Sequence, residues 1–205
     1  PPSVPSSSQD GPPVVSGARC PPEVPKLPSG YIARAAILEA VKQRVLPDAA
    51  AAAVSVFGMG GSGKTVVASA LARDAELLSK FSLMAFVSVG QDPAIRDLQK
   101  TIYGQLTGTA MDASLVTDQE IGLALQKAAE GKNVLLILDD VWTQEQEMAL
   151  NCLDSRTVSK SIITTRMKGL IPGHEEVELG VLDRDTAVRL LYECAGLSVE
   201  PPYSK

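Results

Sequence analysis

Apolar and polar residues along this chain follow two different periods. Short, mostly apolar runs are typical of strands buried in a sheet, and they occur at residues 53–57, 84–89, 133–138, 161–164 and 176–179. Apolar residues three and four positions apart predict helices at residues 35–46, 64–78, 93–106, 118–129 and 183–195. Because strands alternate with helices, we predict a three-layer α/β/α fold around a five-stranded parallel sheet.

The first 28 residues differ in composition from the rest of the chain. They hold nine of the fourteen prolines and five serines, and their apolar residues follow no period. Such a segment buries too little apolar surface to offset the entropy that it would lose on ordering. We therefore expect residues 1–28 to be a disordered or polyproline-like linker with another domain before it. An unstructured native tail is the alternative.

Composition and charge narrow the class of protein. Apolar residues make up 45% of the chain, and the net charge of −5 comes with scattered Lys and Arg. This pattern allows a packed core and argues against a nucleic-acid-binding surface. Cys20, Cys152 and Cys194 have neither disulfide nor zinc spacing, which favours a reducing compartment, the cytoplasm. No apolar run approaches the ~20 residues of a membrane span.

A glycine-rich stretch follows the first predicted strand and precedes a predicted helix. Its residues are Gly58, Met59, Gly60, Gly61, Ser62, Gly63, Lys64 and Thr65. They match the phosphate-binding pattern G-x-x-x-x-G-K-[ST], in which backbone N–H groups and a helix N-terminus face the phosphates. We expect Lys64 to reach the β- and γ-phosphates and Thr65 to ligate Mg²⁺. A chance glycine-rich turn is the alternative.

An acidic pair ends the third predicted strand. Asp139 and Asp140 follow the apolar run 134–138, and ligands of parallel sheets bind at the carboxyl ends of the strands. We assign Asp139 to the Mg²⁺ beside Thr65. Asp140 is a candidate catalytic residue that orients or deprotonates an attacking water. A helix cap or a structural ion pair is the alternative for Asp140.

A third polar motif ends the fourth predicted strand. Arg166 follows the strand at 161–164, and its guanidinium could contact a γ-phosphate and so distinguish ATP from ADP. A solvated or ion-paired arginine is the alternative. Trp142 is interpreted as a packing residue, and His174, in a polar loop, as plain surface. No Asn-Lys-x-Asp motif for guanine is present, so adenine is favoured.

Four motifs occur in a fixed order along the chain. They are GMGGSGKTVVA at 58–68, FVSVGQD at 86–92, LLILDDVW at 135–142 and SIITTR at 161–166. Together they resemble NB-ARC domains, the nucleotide switches of plant intracellular immune receptors and of the animal apoptosome scaffold, within the signalling (STAND) class of P-loop NTPases. The resemblance covers about residues 27–196. It implies that the strand before Arg166 lies between the strand before Gly58 and the strand that ends at Asp139.

The resemblance extends the candidate site and divides the chain. It implies that residues 27–34 approach the adenine, so that Ile32 and Arg34 contact the base or ribose, and that the nucleotide-binding stretch continues through Val66. This chain has Ile32-Ala33-Arg34 where the family often has Val-Gly-Arg. It also implies a nucleotide-binding domain at 29–181 and the truncated start of a helical lid at 182–205.

The function implied by the resemblance is a switch in cell signalling and defence. ADP would hold a closed state against the other domains of the same chain, and exchange for ATP would release homo-oligomerisation, with at most slow Mg²⁺-dependent hydrolysis. A catalytic P-loop ATPase or a small-molecule kinase is the alternative. A kinase usually needs an arginine-rich lid, and only Lys168 follows Arg166 closely. A scaffold that binds no nucleotide is a further alternative, against which Lys64, Thr65 and Asp139 argue.

Overall fold

The computed structural model of the chain describes residues 17–197. Its strands are β1 Ala53–Phe57, β2 Leu83–Ser88, β3 Val134–Val141, β4 Lys160–Thr165 and β5 Glu175–Glu178. Its helices are α1 Ala35–Val45, α2 Lys64–Leu71, α3 Ala75–Lys80, α4 Ile95–Thr107, α5 Asp118–Ala129, α6 Gln144–Leu150 and α7 Arg184–Ala195. All strands pair in parallel, in the order β2-β3-β4-β1-β5. This confirms the predicted α/β fold and places β4 between β1 and β3, as the resemblance implied.

Both faces of the sheet are covered, and the interior strand β3 contributes to a core on each side. Leu135 and Ile137 pack into the core under α1, α2 and α3. Leu136 and Leu138 pack into the core under α4, α5 and α6. All four side chains have no exposed surface. The apolar side chains of residues 134–138 fill these two cores, and the first polar residue of β3 is Asp139.

Two helices differ from the sequence-based prediction. The helix predicted at 64–78 is divided into α2 and α3, because the Asp74 carboxylate accepts hydrogen bonds from the backbone N–H groups of Glu76 and Leu77 and starts a new helix there. Helix α6 was not predicted. Its signal was present in the sequence as a capping box, in which Thr143 and Gln146 each bond the other's backbone. No helix between residues 17 and 197 is long and apolar enough to cross a membrane.

Residues 17–28 form no helix or strand, but they lie against the domain. Ala18 and Val24 are buried in the core beside α2 and α3. The backbone N–H of Ala18 donates to the Phe81 carbonyl at 2.8 Å, and the Arg73 side chain donates to the Val24 carbonyl at 3.1 Å. This packing differs from the linker expected over residues 1–28. Single apolar side chains of this segment are buried in the core although the segment has no periodic apolar pattern. Residues 1–16 lie outside the described part of the chain.

His174 is not the plain surface residue that the sequence suggested. Its Nδ1 lies 3.0 Å from the hydroxyl of Ser55, which is buried in β1 with 2% of its surface exposed. The imidazole ring is half-buried, and this burial lowers the pKa of His174, while the Glu147 carboxylate acts in the opposite direction. The loop between β4 and β5 therefore carries a neutral, hydrogen-bonded histidine into the edge of the core.

We predict that His174 makes the free energy of unfolding depend on pH. Since burial holds its folded-state pKa below the ordinary 6.5, the unfolded chain binds a proton at a higher pH than the folded chain. The stabilisation is complete above about pH 6.5 and is lost as pH falls through the folded-state pKa. His174 is the only histidine, so urea unfolding of the parent and of a His174→Gln variant at about pH 7.5 and about pH 5.5 reports on this residue. The His174→Gln variant should lose less stability over this interval, and an equal loss would contradict the prediction.

Candidate nucleotide-binding site

The glycine-rich stretch forms a loop between β1 and the first turn of α2. Gly61 and Gly63 have φ angles of 77° and 94°, in the region that glycine adopts without strain. A Cβ atom on Gly58 would collide with the carbonyl oxygen of Leu179. Gly63 is the N-cap residue of α2 and has no side chain to cap the first amide groups. These amides and the Ser62 hydroxyl, which is buried without a hydrogen-bond partner among the described residues, are available to an anion.

Lys64 is a buried cation beside this loop. Its side chain is 7% exposed, and Nζ donates to the carbonyl oxygens of Gly58 and Met59, both at 2.8 Å. Burial, together with the positive charge of Arg166, lowers the pKa of Lys64, and the two aspartates at the end of β3 partly oppose this. Since both hydrogen-bond acceptors are neutral, the environment of Lys64 favours the arrival of an anion.

Thr65 and Asp139 lie together although 74 positions separate them in the sequence. The hydroxyl of Thr65 donates to Asp139 Oδ2 at 2.8 Å, and the hydroxyl of Thr164, on β4, donates to Oδ1 at 2.6 Å. Asp139 is 2% exposed. Burial raises its pKa, and the two hydroxyl hydrogen bonds oppose that rise. The carboxylate is therefore held rigidly at the end of β3, in a place where its negative charge is poorly solvated.

These oxygen donors fit a Mg²⁺ ion that arrives with a nucleotide. The Thr65 hydroxyl and the Asp139 carboxylate are the hard ligands that Mg²⁺ prefers, and both direct donors to Asp139 are neutral hydroxyls. Among residues 17–197, no group of three or more His, Cys, Asp or Glu could hold a metal ion. The remaining ligands would therefore be phosphate oxygens and water, which is the usual situation for Mg²⁺ at phosphate sites.

Asp140 adopts an unusual backbone conformation next to this pair. Its φ is 57°, and the pairing of β3 with β4 shifts register between Leu138 and Val141. Its backbone N–H donates to the Thr164 hydroxyl at 2.8 Å, and its carboxylate lies 3.6 Å from Nε of Arg166. The ion pair that sequence analysis kept as an alternative is therefore present. The role of Asp140 in orienting water stays a prediction.

Arg166 extends from the end of β4 toward the glycine-rich loop. Its guanidinium carbon lies 4.5 Å from the centroid of the Trp142 ring, and a Cβ atom on Gly60 would be 3.3 Å from its Nη1. The side chain is 48% exposed. Sequence analysis treated Trp142 as a packing residue and missed this contact, because the contact exists only where the ends of β3 and β4 lie side by side.

A mostly apolar cavity of about 500 Å³ opens beside the loop, a size typical of small-molecule sites. Of the residues predicted for the site, its lining contains Ile32, Arg34, Met59, Gly60, Gly61, Ser62, Gly63 and Val66. Tyr31, in the segment 27–34 that the resemblance placed near the adenine, also lines the cavity, whereas sequence reasoning missed Val67, Val181, Leu182, Ala187 and Leu190. Val67 lies on α2, and the other four lie just before or on α7. Their local pattern does not distinguish the lining of a cavity from an ordinary core.

Arg34 connects three segments at the mouth of this cavity. Its Nη1 donates to the Gly180 carbonyl at 2.7 Å and to the Ser62 carbonyl at 3.4 Å. The residue just before α1 is thereby joined both to the glycine-rich loop and to the segment that leads into α7. The contact of Ile32 and Arg34 with a base or ribose stays a prediction.

Comparison with known proteins assigns the family. Residues 34–198 match the family model described as the NB-ARC domain. The chain belongs to the NB-ARC family. The disease resistance protein RPP13 of Arabidopsis thaliana is 31% identical over 128 residues, which are 58% of this chain and 15% of that protein. The disease resistance RPP13-like protein 3 of the same plant is 34% identical over 131 residues, which are 60% of this chain and 15% of that protein.

Solved structures share the fold of the NB-ARC chain. Cdc6p from Pyrobaculum aerophilum superimposes with a TM-score of 0.58 at 15% identity, over 93% of this chain and 55% of that one. The Orc1 protein of Aeropyrum pernix, solved in complex with DNA, superimposes with a TM-score of 0.55 at 17% identity, over 82% and 50% of the two chains. At these identities the likeness concerns the fold alone.

We predict that Asp139→Asn raises the melting temperature of the ligand-free NB-ARC chain. Since burial raises the pKa of this carboxyl, the ionised form costs free energy in the folded state at neutral pH, and a neutral amide removes that cost. Thermal unfolding in the absence of nucleotide and Mg²⁺ measures the change. Asp92→Asn, at an exposed aspartate, is the matched control and should leave the melting temperature unchanged. A lower melting temperature for Asp139→Asn would contradict this account.

Proposed function

We propose that this NB-ARC chain binds ATP and ADP with Mg²⁺ and acts as a signalling switch, in which nucleotide exchange controls oligomerisation of a larger receptor-like protein. One observation carries the proposal: Lys64, Thr65, Asp139 and Arg166 converge on one glycine-rich loop beside an apolar cavity. The names of the relatives, which are disease resistance proteins, support a role in defence. The chain spans about 15% of each of these two relatives, so the switch would act on parts of a longer protein.

The β-phosphate would be bound by groups whose present hydrogen-bond partners carry no opposite charge. Lys64 Nζ is held by two neutral carbonyl oxygens, and a phosphate oxygen is a stronger, charge-assisted acceptor. The amides of the loop add N–H donors at the positive end of α2. Mg²⁺ bound by Thr65 and Asp139 would neutralise phosphate charge and bridge the β- and γ-phosphates.

Arg166 would distinguish the two nucleotides. The end of its side chain lies beside Gly60, in the loop that surrounds the phosphates of such proteins. A guanidinium in this place gains a charge-assisted bond only when a γ-phosphate is present. ATP and ADP would then stabilise different arrangements of the loop and of the segments that contact it.

The adenine would lie in the apolar cavity. Its wall combines the segment before α1 with Val66 and Val67 on α2 and with Val181 and Leu182 before α7. The two sides are joined by Arg34, which bonds Ser62 and Gly180. An occupied cavity would therefore influence how α7 lies against the domain, and α7 has no buried residue of its own. This coupling supports a switch that transmits nucleotide state to the following domain.

A catalytic P-loop ATPase or a small-molecule kinase is the alternative. A kinase needs an acceptor pocket next to the transferred phosphate and further cations around it. The cavity at the loop is mostly apolar, and Arg34 is engaged by backbone carbonyls. These features favour binding over transfer. We also propose a cytoplasmic location, which the three free thiols of Cys20, Cys152 and Cys194 support.

Lys64→Ala is expected to weaken binding of both ATP and ADP by roughly tenfold to a hundredfold, because a charge-assisted hydrogen bond contributes about 1.5–3 kcal/mol. Titration calorimetry on the parent and variant measures the change. Lys168→Ala removes an exposed lysine that lies 5.6 Å from the Phe57 ring centroid, and it controls for loss of positive charge near the loop. Unchanged affinity in Lys64→Ala, or equal losses in both variants, would count against the phosphate site.

Hydrolysis is expected to be slow, below about 1 s⁻¹, whereas typical enzymes turn over at about 1–10³ s⁻¹. A switch needs nucleotide states that persist, and fast turnover would remove the ATP state. Phosphate release at saturating Mg·ATP, with and without common phosphate acceptors, measures the rate, and Lys64→Ala gives the background. Steady turnover above about 1 s⁻¹, or acceptor-dependent formation of ADP, would favour the catalytic alternative instead.

A further inference from the structure

We propose that Trp142 is a positioning residue for the γ-phosphate: its indole ring holds the Arg166 guanidinium beside the glycine-rich loop and so increases the preference of the site for ATP over ADP. The inference rests on the proposed function, since it concerns how the same site recognises its nucleotide. It assigns a role to a residue whose sequence context suggested only packing.

The contact between the two side chains leaves the arginine free to bind. The guanidinium carbon lies 4.5 Å from the Trp142 ring centroid, so the cation interacts with the face of the ring. A planar guanidinium that stacks by its face keeps its N–H groups available along its edge. Nε is directed toward Asp140 at 3.6 Å, and Nη1 lies on the side of Gly60. Nη1 is therefore the terminal nitrogen next to the loop.

Trp142 is itself held by one hydrogen bond from its ring and one from its backbone. Its Nε1 donates to Asp140 Oδ2 at 3.1 Å, and the backbone N–H of Trp142 donates to Gln146 Oε1 at 2.8 Å. Gln146 is 8% exposed, and its Nε2 donates to the carbonyls of Gly90 and Gln91 at 3.2 and 3.3 Å. Gln146 thus connects Trp142 to the loop after β2 and to the start of α6. The indole ring is therefore a rigid support.

A rigid support matters because arginine is a long side chain. Arg166 is about half exposed, and an exposed arginine loses rotamer freedom when it binds a phosphate. Stacking on Trp142 restricts those rotamers before the nucleotide arrives. Preorganisation of this kind strengthens binding mainly by lowering the entropy lost on association. The gain applies only to a ligand that reaches Arg166, and only ATP has the γ-phosphate.

The test measures binding of ADP and of a non-hydrolysable ATP analogue, both with Mg²⁺, to the whole chain. Trp142→Ala is expected to weaken binding of the ATP analogue by about twofold to fivefold, the scale of a half-exposed cation–π contact. The affinity for ADP should be unchanged. Trp142→Phe keeps an aromatic face and should recover most of the loss. In an Arg166→Ala background, Trp142→Ala should cause no additional loss, because it acts through Arg166.

Three results would overturn the inference. The first is an equal loss of affinity for ADP and for the ATP analogue in Trp142→Ala. The second is an undiminished effect of Trp142→Ala in the Arg166→Ala background. The third is an unchanged affinity of Trp142→Ala for the ATP analogue. Arg166→Ala alone separates the inference from the proposed function. If it weakens the ATP analogue more than ADP while Trp142→Ala changes neither, only the positioning role is wrong. If it affects both nucleotides alike, recognition of the γ-phosphate by Arg166 is wrong as well.

A second measurement needs no nucleotide. Trp142 is the only tryptophan of the chain, so its fluorescence reports on this ring alone. Removal of the guanidinium from the ring face in Arg166→Ala should increase quenching by acrylamide, whereas Lys168→Ala, two positions further along, should leave quenching unchanged. Equal quenching in the parent and in Arg166→Ala would show that the stacked arrangement is not populated in solution and would overturn the inference.

Discussion

Burial of the sheet on both faces is the constraint on which the arrangement of the site depends. Helices cover β3 and β4 on either side, so residues 134–138 of β3 and residues 162–163 of β4 enter apolar cores. The polar residues of these two strands are therefore found toward their ends, and the carboxyl ends meet at one edge of a parallel sheet. Asp139 lies near the carboxyl end of β3, Arg166 follows β4, and the glycine-rich loop begins where the neighbouring β1 ends.

The same burial leaves opposite charges in an apolar setting without placing them in direct contact. Lys64 has carbonyl oxygens as its hydrogen-bond partners, and Asp139 has hydroxyl groups. Burial accordingly lowers the pKa of the lysine and raises that of the aspartate, so in each case the charged form is disfavoured. A phosphate with its metal ion would supply the missing partner for each. The two poorly solvated charges thus lower the stability of the fold, and a bound nucleotide would offset that cost. This is common where binding is favoured at the expense of stability.

The sequence by itself determined most of the elements and the glycine-rich loop. Strand and helix periods depend on which faces are buried, and the spacing of Gly58, Gly63, Lys64 and Thr65 is a local property of one turn. The position of β4 between β1 and β3 was implied by the resemblance to NB-ARC domains, and the strand order confirms it. Asp139 could be singled out as a candidate because it follows a buried apolar run, at the carboxyl end where parallel sheets bind their ligands.

Contacts between residues far apart in the chain were decided only by the tertiary structure. Trp142 and Arg166 meet because β3 and β4 are neighbours, and His174 reaches Ser55 because the loop before β5 returns over β1. No periodic pattern or motif in the sequence predicts either contact. The cavity could not be predicted from the sequence either. Its apolar lining comes from separate segments whose side chains look like ordinary core residues. Local patterns specify which residues are buried, whereas packing between elements specifies which of them touch.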